Sequence, residues 1–300
     1  MADTVNNNPI TESYILRYTA NVQAALARQP GLLYPTISKA TYSGERSQVV
    51  NFLGPLFFTK RTAAFPDTVW REVEHTSRWI AADDYDCAVP VDRIDTLRTI
   101  YDPTNPYVDR MREALGRLQD DVIMAAFFAD ARTGKTGAST ASFATVASDT
   151  IVSAGVGLTF AKLRSLRKVI KRRFIDLRMQ KPMIAVTAQQ TDDLLGETTV
   201  ASHDYNMVKP LVDGEVSTFM GFVFIPAEGV IPAPVANVRD LPVWIESGMH
   251  FGDWQALQIT IGPRADKNNI MQVHASASFG ATRLEEGRVF KCQVLDTNAS

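Results

Sequence analysis

The stretch ADARTGKT, residues 129–136, has the spacing of a phosphate-binding loop: a small residue, four arbitrary positions, then Gly134, Lys135 and Thr136. Such loops work because successive backbone N–H groups cradle phosphate oxygens, the lysine neutralises them and the hydroxyl ligates Mg²⁺. The first position here is Ala129, where the sharp turn calls for glycine. The motif also needs a buried strand in front and a helix behind. The periodicity described below makes ADART the end of a long helix instead, with Gly134 and Gly137 as its C-cap and a following turn. A P-loop-like nucleotide hydrolase is therefore the least supported function class.

No other grouping points to catalysis. His75, His203, His250 and His274 stand apart, none with a second His or Cys at the i+2 to i+4 spacing of a metal site. The carboxylates Asp83, Asp84 and Asp86, the pair Asp192–Asp193 and the pair Glu285–Glu286 suit acidic turns and helix first turns as well as acid–base work. No G-x-S-x-G stretch or Cys/His constellation occurs. Lys60 is a lone lysine in apolar surroundings, a pattern far commoner on surfaces than in reactive amines. Cys87 and Cys292 are distant from each other and read as two buried thiols in a reducing compartment. The expectation is a non-enzymatic protein with no metal and no cofactor.

The elements must then explain what the chain does. Its 300 residues are 45% hydrophobic and 21% charged, enough for one large core or two smaller ones. A net charge of −2 gives no global reason to bind nucleic acid or a membrane surface. The N-terminal MADTVNNNPI lacks a charged region followed by an apolar run, and no stretch approaches the ~20 apolar residues of a spanning helix.

A polar tail leads into a short amphipathic helix at 11–28, marked by Ile15, Tyr18, Val22 and Leu26 and stopped by Gln29-Pro30-Gly31. The segment from Ser38 to about Ile100 changes character. Strands at 48–53 and 69–73, joined by a stretch broken by Gly54, Pro55 and Pro66, predict a long hairpin excursion. Its tip crowds Phe52, Leu53, Leu56, Phe57, Phe58, Phe65 and Trp70 into fewer than twenty residues that no local helix could bury together. Such a surface folds onto its own domain or is covered by another subunit.

Pro106 opens a helix to Phe128, about 35 Å long, with Val108, Met111, Leu115, Leu118 and Val122 on one side and Arg110, Arg112, Glu113, Arg117 and Asp120 on the other. Residues 133–157 read as loop with one strand near 150–152. A second helix at 159–174 has an apolar face of Phe160, Leu163, Leu166, Ile170 and Phe174. The rest of it is basic: Lys162, Arg164, Arg167, Lys168, Lys171, Arg172 and Arg173. Arg164, Lys168, Lys171 and Arg172 are candidates for phosphate or an acidic neighbour, with a solvated face as the plain alternative. A strand at 183–187, helices at 189–195 and 205–212, a strand at 219–225 containing Gly221, and strands at 243–245, 257–261, 271–274 and 289–292 complete an α+β chain.

DPTNPYV (102–108), ALGRLQDDVIMAA (114–126), the TGKTG turn, SHDYNMVKPLVDGEVSTFMGFVFI (202–225) and FGATRLEEGRV (279–289) resemble, in order and spacing, tailed-bacteriophage major capsid proteins with the Hong Kong 97-type fold. The resemblance covers roughly residues 38–295. It implies an N-terminal arm (1–37), an extended loop lying over a neighbouring subunit (38–100), a peripheral domain with spine helix 106–128 (101–157, completed by 250–285), an axial domain (158–249) and a C-terminal return (286–300). Phe52, Leu53, Phe57, Phe58, Phe65 and Trp70 become subunit-interface candidates.

The implied function is a virion shell assembled in the host cytoplasm from hexamers and pentamers of this chain, around double-stranded DNA held without reading its sequence. A portal, a decoration protein and no membrane belong to that picture. Some relatives carry a scaffolding segment ahead of the arm. The short tail here implies a separate scaffolding protein or unaided assembly. Encapsulin compartments share the fold and stand as the alternative. A few relatives join subunits through a lysine and an asparagine, but no motif transfers those positions, so Lys60 has no assigned role.

Overall fold

The computed structural model describes residues 31–54, 56–60, 70, 72–73, 75–91, 104–143, 150–177, 179–196, 218–267 and 269–296. Outside them lie the helices expected at 11–28 and 205–212, and Phe65. The first sheet is built on a long hairpin, β12 (Met249–Arg264) with β13 (Ile270–Arg283). β1 (Ser38–Thr41) lies parallel to the start of β12, Ser38 opposite His250. β4 (Asp83–Val91) lies antiparallel to β13, giving the order β1-β12-β13-β4. β12 is buried for its first four residues and alternates thereafter, so it leaves the core as a two-sided strand.

Helix α1 (Thr104–Phe128) packs along this sheet and begins two residues before the expected Pro106. Met111 meets Val273 and Ala275, while Ile123, Met124 and Phe127 enter the main core. Asp120, expected on the polar side, is completely buried: its carboxylate accepts from the N–H of Leu32 (3.1 Å) and Leu33 (2.9 Å). Standing three, four and seven positions before Ile123, Met124 and Phe127, it shares their stripe and fixes the chain that enters β1.

A six-stranded sheet forms the second layer, in the order β7 (Thr150–Ile151), β14 (Val289–Leu295), β11 (Val238–Trp244), β8 (Met183–Val186), β10 (Phe222–Pro226) and β9 (Thr218–Phe219). The single strand expected at 219–225 is two strands, because Met220 (φ +53) and Gly221 (φ +85) both take the left-handed conformation of a type I′ hairpin turn. Helices α2 (Phe160–Arg172) and α3 (Ala188–Leu195) belong to this layer; Leu163, Leu166 and Ile170 of α2 are fully buried in the main cluster. Phe174 is not on that face. The helix has ended, Phe174 has φ +58 and its side chain is exposed. Trp244 of β11, fully buried with its ring 4.8 Å from that of Phe127, joins the two layers into one apolar cluster.

The third sheet, β2-β3-β5-β6, comprises β2 (Arg46–Leu53), β3 (His75–Ala81), β5 (Ala131–Thr133) and β6 (Ser139–Ala141). Within the excursion expected at 38–100, β2 and β3 form the antiparallel ribbon, from Arg46 opposite Ala81 to Leu53 opposite His75. β1 and β4 pair instead with the β12–β13 hairpin. The returning strand expected at 69–73 is β3, and Trp70, Glu72 and Val73 lie in no strand.

Candidate functional site

The ADARTGKT stretch is not the frayed end of a helix. α1 stops at Phe128, the Ala129 N–H donating to Ala125 O at 3.2 Å, and ART is β5. Gly134 (φ +86) and Gly137 (φ +69) turn it into β6, so neither is a helix C-cap. Strands of three residues carry no readable period, so the α1 pattern runs on through them in the sequence. A phosphate loop runs from strand into helix; this one runs from strand to strand, with Lys135 in solvent. Its visible task is to hold Trp79 of the ribbon. Trp79 Nε1 donates to Gly134 O at 2.7 Å, and a Cβ at Gly137 would sit 2.9 Å from Trp79 Cγ. The contact and the positive φ both require glycine.

Beneath the hairpin lies a buried charge cluster that the reading of single residues missed. Arg283 is completely buried. Its Nη1 donates to Phe127 O (2.9 Å) and Ala129 O (3.0 Å), and its Nη2 to Ala141 O (3.2 Å). One guanidinium thus satisfies carbonyls left open at the α1 C-terminus and ties them to β6. Arg78 of β3 donates from Nε to Leu284 O at 2.8 Å, and its Nη2 meets Glu286 Oε1. Glu286 lies 3.9 Å from Arg283. Burial lowers the Arg283 pKa from its ordinary 12.5, Glu286 opposing and Arg78 reinforcing the shift. The Arg and second Glu of GATRLEE therefore join ribbon base, helix end and hairpin.

At the last ribbon pair and beyond it, Leu53, Leu56, Phe57, Phe58 and Trp70 are exposed, Phe58 and Trp70 almost entirely at 105% and 92%. Phe52 is half-buried on β2. Little but the base of the ribbon is buried, notably Arg78 and Ile80, so the apolar tip is covered by nothing among the described residues.

On α2, Arg164, Lys168, Lys171 and Arg172 are exposed, and with Arg167 they line a shallow depression of about 430 Å³. Among the described residues none of these four meets a carboxylate. Lys162, expected in the basic face, is buried: its Nζ donates to Val156 O (2.6 Å) and Gln293 O (2.9 Å). It stands four and eight positions before Leu166 and Ile170, a spacing that marks it as inward. Burial lowers its pKa and pushes the adjacent Cys292 thiol up to about 12. Cys87 differs from the expectation of two buried thiols, since its side chain is exposed on β4.

His250 bridges β12 to β1. Ser38 Oγ donates to Met249 O at 2.7 Å, so it accepts from Nδ1–H (2.8 Å), leaving Nε2 to accept from Tyr42 Oη at 2.8 Å. Burial lowers the imidazole pKa from 6.5. This histidine is structural. Among the described residues no three His, Cys, Asp or Glu side chains gather into a metal site, and no helix is long and apolar enough to cross a membrane.

A family model described as phage capsid protein matches residues 10–296. At the level of sequence the chain matches no curated protein. Among solved structures it is similar to the capsid asymmetric unit of cyanophage Pam1, with TM-score 0.73 and 14% identity over 99% of this chain and 100% of that one. The capsid of cyanophage P-SCSP1u gives TM-score 0.72 and 14% identity over 94% of each chain. The acidic stable capsid of Helicobacter pylori bacteriophage KHP30 gives 0.70 and 10% over 98% of this chain and 100% of that one. At such identities the likeness to these structures is one of fold.

Proposed function

The chain belongs to the phage capsid protein family, and we propose that it is the major shell subunit of a tailed phage, self-assembling into an icosahedral capsid around double-stranded DNA. The observation that carries this reading is the family match across 10–296 on a chain with the Hong Kong 97-type fold of solved capsids. An encapsulin-type compartment is not favoured, because the similar structures are phage and GTA particle capsids.

In this reading the β2–β3 ribbon and its connection are the extended loop, α1 is the spine helix of a peripheral domain built on β4, β12 and β13, and the six-stranded sheet with α2 and α3 is the axial domain. The exposed apolar tip and the anchored ribbon base support the first assignment: a surface of this kind requires a cover, and copies of the chain are what a shell supplies. Hexamers and pentamers, a portal, a separate scaffolding protein, a decoration protein and assembly in the host cytoplasm complete the proposal. The cations of α2 suit phosphate contact without base reading.

Electron microscopy and sedimentation of the expressed protein, alone and with its scaffold, test the reading. Large uniform shells are expected, and a chain that stays monomeric under every assembly condition would overturn it. The double substitution Phe57→Asp/Phe58→Asp is expected to abolish shells while the subunit melts at the wild-type temperature. Normal shells from that variant would sink the loop assignment.

A further inference from the structure

The end of α2 carries a residue that local structure does not favour. Phe174 stands just past the helix C-cap Arg173 with φ +58, a position that glycine ordinarily fills because a Cβ is strained in it. Its ring is exposed, and so is the side chain of Met179. The two border a hollow of about 550 Å³, in which Glu285 is already held by Arg288. Arg172 lines this hollow and the basic depression of α2 alike, so the two form one continuous surface. Of the exposed cations there, Lys171 and Arg172 lie in the last turn, where they complement the helix dipole. Arg164 and Lys168 lie outside it, and the like-charge pairs Arg164–Lys168 and Lys168–Arg172, four positions apart, weaken the helix. Neither the strained aromatic nor the repelling stripe serves the fold, and both gain a use when something binds.

The chemistry of the surface selects its occupant. Phosphate answers the cations but leaves Phe174 and Met179 in water. The densest acidic run of a second copy, Asp83, Asp84 and Asp86, lies on strand β4, where successive side chains point to opposite faces, and Asp84 already accepts from Ser278. We infer that this surface is the docking site for an acidic amphipathic helix of a separate protein, with its carboxylates along Arg164, Lys168 and Arg172 and its apolar end against Phe174 and Met179. From Arg164 to Arg172 the stripe runs about 12 Å, so about two turns of a partner helix cover it. Docking of this kind needs only the single subunit and is independent of shell formation.

The probe is a capped synthetic helix of about four turns, with glutamates spaced three and four apart on one face and two leucines at one end. In fluorescence anisotropy it should bind the full chain, and bind Lys168→Glu and Phe174→Gly about tenfold more weakly. Phe174→Gly relieves the strained φ, so it should melt at or above the wild-type temperature while binding less, a combination that a merely structural ring does not give. Replacing both leucines of the probe by alanine should cost about tenfold on the wild-type chain, an arm that needs no folded variant. Absence of binding, or equal binding of the leucine and alanine probes, would overturn the inference. Short duplex DNA that binds more tightly than the probe and is indifferent to Phe174→Gly would assign the surface to phosphate instead. Self-association of the wild type that Phe174→Gly abolishes, with no other protein present, would assign it to a second copy.

Discussion

At the scale of the residue, the buried polar groups fix geometry, and their chemistry is testable without assembly. His250 is held neutral in the fold because burial lowers its pKa below 6.5. As pH falls, the unfolded chain therefore binds the proton first. The stability this site contributes is present above pH 6.5 and is lost as pH drops through the lowered value. Protonation also forces the Tyr42 hydroxyl to turn from donor to acceptor. Thermal melting of His250→Gln between pH 7 and 5 should show a smaller drop than wild type, and an equal drop would remove His250 from the account. Arg283 is the stronger case. Arg283→Met leaves three carbonyls without their donor and takes away one of the two cations beside Glu286, and should destabilise the subunit by about 3–5 kcal/mol in chemical denaturation. A loss under 1 kcal/mol would show that water replaces the guanidinium.

At the scale of the element, legibility in the sequence followed length and period. The helices expected at 106–128 and 159–174 are Thr104–Phe128 and Phe160–Arg172, because an amphipathic stripe over several turns is hard to counterfeit. The long strands β12 and β13 were visible only in pieces, since Gly, Ser and Ala interrupt their alternation. β5 and β6 were invisible for want of length. Lys162 and Asp120 are legible as inward by position, and their charge hides it. The apolar tip stood out as a local crowd of aromatics, whereas the Arg78–Glu286–Arg283 cluster joins residues about 200 positions apart and leaves no local signal. Gly137 shows how an element depends on one such contact. Gly137→Val puts a branched side chain at positive φ against Trp79, and should cost about 2–4 kcal/mol. Limited proteolysis should then cut faster within 54–74, because the ribbon loses its support while the first sheet keeps its own. Unchanged cleavage there would mean that the hairpin does not hold the ribbon.

At the scale of the whole molecule, a phage capsid subunit is judged by what it does beside its copies. Lys135→Ala should leave shell yield and diameter unchanged, and calorimetric titration of the wild type with ATP–Mg²⁺ should give no binding heat. Saturable binding lost in Lys135→Ala would return the hairpin to nucleotide chemistry. The two layers share one apolar core through Phe127 and Trp244, so sliding one layer against the other would break that core.

The antiparallel ribbon has a mechanical corollary. A pull on the tip along β2 and β3 strains the rungs from Arg46–Ala81 to Leu53–His75 together, in shear. A sideways pull opens them one at a time, beginning at Leu53–His75, in the manner of a zip.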